Sequence, residues 1–216
     1  MNKFEPRLIL LLLPLMLFWG TPSALGAPDN ATIIDEWNKI VPPPAPQLQT
    51  VNVDSGTTAV LVLDIQTQTC SQRPRCAASI PVIQALLAQA RDKDIPVIYS
   101  LTSAGTLSDI PASVAPLPQE PVVKSFGVDK FYNTDLEKIL REKGIKTVII
   151  TGTAANGAVL HTAVAAALRN FQVVVPVDGM SASDPYAEQY TAWHMLNSPG
   201  TKNRVVLTKA SMINLQ

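Results

Sequence analysis

The stretch "KTVIITGTAANGAVLHTAVAAALRN", residues 146–170, decides the fold. Its first part, through Thr151, is a β-rich apolar run of the kind expected in a strand buried on both faces. The run halts at Gly152. From Gly157 to Arg169 an alanine-rich segment is apolar on nearly every side and reads as a buried helix. A strand that stops at a glycine and reopens as a helix is the repeating unit of an α/β sheet. Ligands in such sheets bind outside the carboxyl ends of the strands. Yet this turn contains no cysteine, serine or carboxylate.

Outward from the turn, the same alternation repeats. "TAVLVLD" (58–64), "IPVIYSL" (95–101), "VVKSF" (122–126), "FQVVVPVD" (171–178) and "RVVLT" (204–208) read as strands. "IPVIQALLAQARDK" (80–93) has helical spacing, with Ile80, Ile83, Leu86, Leu87 and Ala90 on one side. "TDLEKILREKG" (134–144) reads as a helix with Thr134 as N-cap, Glu137 completing a capping box and Gly144 ending it. "DPYAEQYTAWHMLN" (184–197) is a helix capped by Asp184. The order predicts an α/β three-layer sandwich over residues 58–216: a mostly parallel six-stranded sheet with helices on both faces. Residues 102–120, rich in Ser, Pro and Gly, form a loop long enough to serve function.

The N-terminus reads differently. Lys3 and Arg7 precede an apolar stretch, "LILLLLPLMLFW", and then small residues. This is the layout of a secretory signal peptide over residues 1–26, cut near Gly26. The stretch is short for a permanent span, so no stable membrane insertion is expected after processing; a retained anchor is the alternative. Residues 27–57 follow as a short helix, "ATIIDEWNKI", and an arm in which Pro42 to Pro44 exclude helix. The expected location is therefore periplasmic or extracellular.

Composition narrows the partners. Seventeen basic residues balance 17 acidic ones and no basic block stands out, so nucleic acid is not an expected partner. The only cysteines, Cys70 and Cys76 in "CSQRPRC", read in an oxidising compartment as a disulfide. A reactive thiol at Cys70 is the weaker alternative. His161 and His194 are far apart and lack ligand spacing, so no metal and no other cofactor is expected.

Three polar groups fall at strand ends: Asp64 in "DIQ", Lys124 in "VVKSF", and the turn after Thr151. A strand-end Asp-x-Gln, then a strand-end Lys before a Phe-x-x-Thr-x-Leu helix start, then a Thr-Gly turn leading to Thr-Ala on a helix, resembles the isochorismatase-like hydrolase family. The likeness runs from about residue 58 to 209. It implies a working set of Asp, Lys and Cys, as in amide-hydrolysing nicotinamidases. Asp64 and Lys124 match the first two, while the nucleophile position is occupied by Ala158. A methyl group cannot attack a carbonyl, so covalent thiol catalysis is excluded at that position.

Isochorismatases proper work without that cysteine, protonating a vinyl ether and letting water complete the hydrolysis. On this pattern Asp64 is the general acid, Lys124 anchors an anionic group or holds the charge of Asp64, and Ala158 leaves room for substrate. The resemblance makes Ala155 and Ala158 the backbone oxyanion pair. The helix start at Gly157 adds a partial positive charge. Gln66, Asn156 and His161 are further lining candidates, each with a bland alternative: a turn bond for Gln66, a helix cap for Asn156, a backbone carbonyl bond for His161. The metal-binding Asp-x-His of nicotinamidases is absent from "YSLTSAG", and the segment from Lys124 to Thr134 is one residue longer than the isochorismatase pattern. The expected function is an exported small-molecule hydrolase without a covalent cysteine step. The alternative is an inactive member of the fold that binds a small molecule or assembles. Self-association into a homo-oligomer is a further implication of the resemblance.

Overall fold

The computed structural model describes residues 30–216. The expected signal peptide lies outside the described residues. The chain divides at Pro44 into two units. In the first, Thr32 donates to Asp35 from its backbone N–H and its hydroxyl. Among the described residues of this unit one short helical turn forms, Trp37–Lys39, where a short helix is expected from the sequence. Ile33, Ile34, Trp37, Ile40 and Val41 are all exposed, so no packing surface extends the turn against the prolines that follow.

The second unit is built on a parallel sheet. Its strands are β2 (Thr58–Leu63), β3 (Val97–Thr102), β4 (Val122–Ser125), β5 (Thr147–Thr153), β6 (Gln172–Pro176) and β8 (Val205–Thr208). They lie in the order β4-β3-β2-β5-β6-β8. The two-residue β7 (Met180–Ser181) pairs with the end of β5 and makes a seventh strand. A separate parallel pair joins β1 (Val51–Val53) to β9 (Ile213–Leu215), binding the stretch before β2 to the C-terminus. The three-residue strands of that pair carry too little pattern to be read locally.

Alternation along the strands sorts the core into two layers. Ala59, Leu61, Leu63, Val148 and Ile150 face α3 (Leu136–Glu142), α4 (Leu160–Leu168) and α5 (Pro185–Asn197). Val60, Val62, Ile149 and Val174 face α2 (Pro74–Asp92), which contributes Ile83, Leu86, Leu87 and Ala90. The helices thus cover both faces, as the sequence predicts. A short α1 (Thr67–Ser71) precedes α2.

Two local expectations need correction. Helix α2 starts at Pro74 and runs through Pro81, six residues before the expected start. Pro81 is exposed, so its missing N–H leaves only a water-accessible carbonyl unpaired. Helix α3 starts at Leu136, and Thr134 is not its N-cap. The Thr134 hydroxyl donates to Lys130 O and accepts from Leu136 N. Glu137 completes no capping box; it accepts from Arg169 Nε at 2.9 Å and pairs with Arg141. Gly144, at φ 68°, ends the helix as read, and Asp184 caps α5 by accepting from Tyr186 N.

Candidate functional site

Asp64 follows the last residue of β2 in the left-handed region, at φ 53°. This conformation, which Asp tolerates better than most residues, interrupts the strand's alternation. The Asp64 carboxylate accepts from Ser100 Oγ at 2.7 Å and from Lys130 Nζ at 2.7 Å. The lysine side chain is 2 % exposed and that of Asp64 11 %, so one edge of the carboxylate still reaches solvent.

The lysine beside Asp64 is therefore Lys130, not Lys124. The reason is register. Ser100 pairs with Val123 and Leu101 with Lys124, and paired residues share a face. Ser100 holds Asp64, whereas Leu101 belongs to the α2 layer, so Lys124 points away from the carboxylate. Lys124 is exposed and lines a groove of about 600 Å³ with Leu101, Thr106, Leu107, Ser108 and Val122.

Lys130 is held from three sides. Its Nζ donates to Gly127 O at 3.2 Å, its backbone N–H donates to the buried Thr162 hydroxyl on α4 at 3.1 Å, and its carbonyl accepts from Thr134. Sequence reasoning passed over it because it stands inside a loop, in no strand or helix register. The one available signal was the extra residue between Lys124 and Thr134, which marks the segment as departing from the family's spacing.

The turn after β5 abuts the end of β2, where Gly152 is level with Leu63. Gly152 has φ 136°, and a Cβ there would sit 2.2 Å from Leu63 O, so only glycine allows this approach. The Thr153–Ala154 peptide bond is cis. A wide helical turn, Ala155–Val159, then leads into α4, with Gly157 at φ −112° and ψ −105°. Ala154 O accepts from Gly157 N and Val159 N, so those two N–H groups are already engaged.

Ala155 is fully buried and Ala158 is 3 % exposed, packed in the core between the sheet and α4. Ala158 thus borders the core more than open solvent. Asn156 and His161 are exposed. His161 Nδ1 donates to Gly157 O at 2.9 Å, one helical turn back. Gln66 is buried, and its Oε1 accepts from Thr102 Oγ1 at 3.0 Å. Gly105 lies against the Gln66 amide, where a Cβ would meet Nε2 at 2.1 Å, so Gln66 anchors the start of the 102–120 loop.

Cys70 and Cys76 form a disulfide, which leaves the chain no free thiol and removes Cys70 as a nucleophile. At the end of β3, Ser100 and Thr102 present hydroxyls, and the Asp-x-His that the nicotinamidase pattern implies is absent from this stretch. Among the described residues no three His, Cys, Asp or Glu side chains gather as a metal site. What remains is a carboxylate with one accessible edge, an ammonium beside it, and a tight turn at the carboxyl ends of β2 and β5.

Comparison with known proteins gives consistent likenesses. The isochorismatase domain model matches residues 58–210. The chain is 27 % identical over 154 residues to N-carbamoylsarcosine amidase from an Arthrobacter species, covering 59 % of this chain and 58 % of that relative's length. It is 30 % identical over 117 residues to a secreted isochorismatase effector from Verticillium dahliae, covering 50 % of this chain and 62 % of the effector. Among solved structures, a cysteine hydrolase from Pseudomonas syringae superposes with a TM-score of 0.66 at 21 % identity, over 78 % of this chain and 95 % of that one. N-carbamoylsarcosine amidase from Thermoplasma acidophilum gives 0.62 at 22 %, over 71 % and 96 %.

Proposed function

The chain belongs to the isochorismatase family, and from that premise we propose that it is an exported hydrolase of a small molecule, working through Asp64 without a covalent cysteine step. The observation that carries this reading is the Asp64–Lys130 pair, 2.7 Å apart at the end of β2 with the carboxylate edge accessible. Lys130 takes the charge-holding part that the sequence pattern gave to Lys124. Asp64 moves the proton, Lys130 compensates its charge, and water is the nucleophile, since both cysteines are bonded to each other. The amidase named among its relatives makes a small C–N substrate one class to assay.

Export rests on the residue 1–26 pattern and is supported by the disulfide and by a secreted relative. The test is turnover of a small-molecule panel of amides and vinyl ethers by wild type and Asp64→Asn. Loss of a proton-transferring group costs about 10²–10⁴ in rate; equal turnover by both proteins overturns the assignment.

One observation favours a second reading, a silent ligand-binding member of the fold: the Ala158 methyl is packed into the core. Ligands that raise the melting temperature and are never consumed would select this reading over hydrolysis.

A further inference from the structure

A second cavity, of about 260 Å³, lies at the junction of α1 and α2 and is lined by Gln72, Arg73, Pro74, Arg75, Ala182 and Ser183. We propose that it is a binding site for a small carboxylate, read by Arg73 and Arg75 and held in shape by the Cys70–Cys76 disulfide. It goes beyond the hydrolytic reading, since it requires no chemistry at Asp64.

Four observations meet there. Arg75 donates through Nε and Nη2 to Glu188, which leaves its Nη1 hydrogens for another acceptor. Glu188 also accepts from Ala182 N at 2.9 Å, so the carboxylate locks Arg75 against the cavity wall at Ala182. Glu188 neutralises one guanidinium. Arg73, half-buried, has no ion-pair or hydrogen-bond partner for its side chain among the described residues, so the lining carries one uncompensated positive charge.

Shape and place agree with that charge. A volume of 260 Å³ falls just under the roughly 300–1,000 Å³ of drug-sized pockets, which suits a ligand the size of a small organic acid. The planar guanidinium fork matches a carboxylate bidentately, and Gln72 and Ser183 add neutral polar groups. The disulfide flanks the arginines in sequence and buries both sulfurs' residues, so the loop between them has few alternative arrangements. Ala182 directly follows β7, which is level with Gly152 and Thr153 of β5. The cavity therefore opens at the same sheet edge as the turn of the candidate site.

Titration calorimetry of sodium benzoate into the oxidised protein at low salt tests this directly. Saturable binding is expected, weakened at least tenfold in Arg73→Ala and partly restored in Arg73→Lys. It is also expected to weaken in Cys70→Ser/Cys76→Ser. Asp64→Asn should bind benzoate as wild type does, so failure of this site and failure of the hydrolytic reading are told apart. Absence of saturable binding to wild type, or equal binding by Arg73→Ala with its circular dichroism unchanged, overturns the site. Equal binding by the double serine variant overturns the part assigned to the disulfide.

Discussion

Lys124 and Lys130 stand six residues apart on one segment and live in opposite surroundings. Lys124 is exposed on the edge strand β4, above a groove, with the Asp109 carboxylate as its electrostatic neighbour. Lys130 is 2 % exposed and closes on Asp64. An exposed ammonium loses little when its neighbours change, because water and salt screen it. A buried one has given up its hydration and depends wholly on its partner. The difference teaches that position at a strand end does not by itself bring a lysine to the carboxylate; where the following loop returns does.

The sharpest way to break the comparison is to remove the buried ammonium. Lys130→Met leaves the Asp64 carboxylate without its countercharge and should cost about 3–5 kcal/mol of unfolding free energy. Urea denaturation measures it. Adding Asp64→Leu to the same chain should recover much of that loss, because a buried pair replaced on both sides by apolar groups is often close to neutral. If the single and double variants are equally destabilised, the pair is not what holds this segment.

A smaller effect is expected at the loop that separates β3 from β4. Arg91 Nε and Nη2 donate at 2.8 Å to Glu120, whose side chain is 7 % exposed, and Nη2 also reaches Tyr99 Oη and Ala115 O at 3.0 Å. This clamps the far end of the 102–120 loop to α2, while Gln66 and Thr102 hold its near end. Burial pushes the Tyr99 hydroxyl well above its ordinary pKa, so it stays a neutral partner in this cluster. Arg91→Ala should cost about 2 kcal/mol, the range for lost hydrogen bonds to a charged group, and should raise the rate of protease nicking within the loop. A loop that stays as resistant as wild type would show that the clamp does not govern its opening.

The smallest effects belong to the exposed lysine. Lys124→Ala should change stability by no more than about 0.5 kcal/mol. Its neighbour Asp109 is held below its ordinary pKa first by the Thr106 backbone N–H, then by the Thr106 hydroxyl, with Lys124 adding a lesser share. A depressed folded-state value means that the contribution is present above the unfolded-state value, about 3.9, and is lost as pH falls through the folded value. Asp109→Asn should therefore show a slightly shallower loss of stability below pH 4 or so, read from melting temperatures across acid buffers. A steeper loss would reverse the sign assigned to Asp109.

Much of the architecture was legible in the residues because it rests on local rules. Runs such as "TAVLVL" and "KTVIIT" announce strands buried on both faces, and the Asp184 cap and the Gly144 end follow from side-chain and backbone chemistry within one turn. Asp64 and the Gly152 turn were also legible, since strand ends next to helices are where sites form. Thr134 misled because its hydroxyl found Lys130 O instead of the expected N3 amide. The helix read from Ile80 begins earlier, at Pro74, and its exposed face tolerates Pro81.

By itself, then, the amino-acid order determined the α/β alternation, the six main strands, the pairing of the two cysteines, and the presence of a strand-end carboxylate beside a glycine turn. Which lysine meets that carboxylate, that β1 pairs with β9 across 162 residues at Asn52 and Asn214, and that two arginines share a cavity with Ala182 were decided only by the tertiary structure. Period and capping are properties of a few neighbouring residues, whereas these contacts depend on which face each strand presents and on where a loop returns after leaving the sheet.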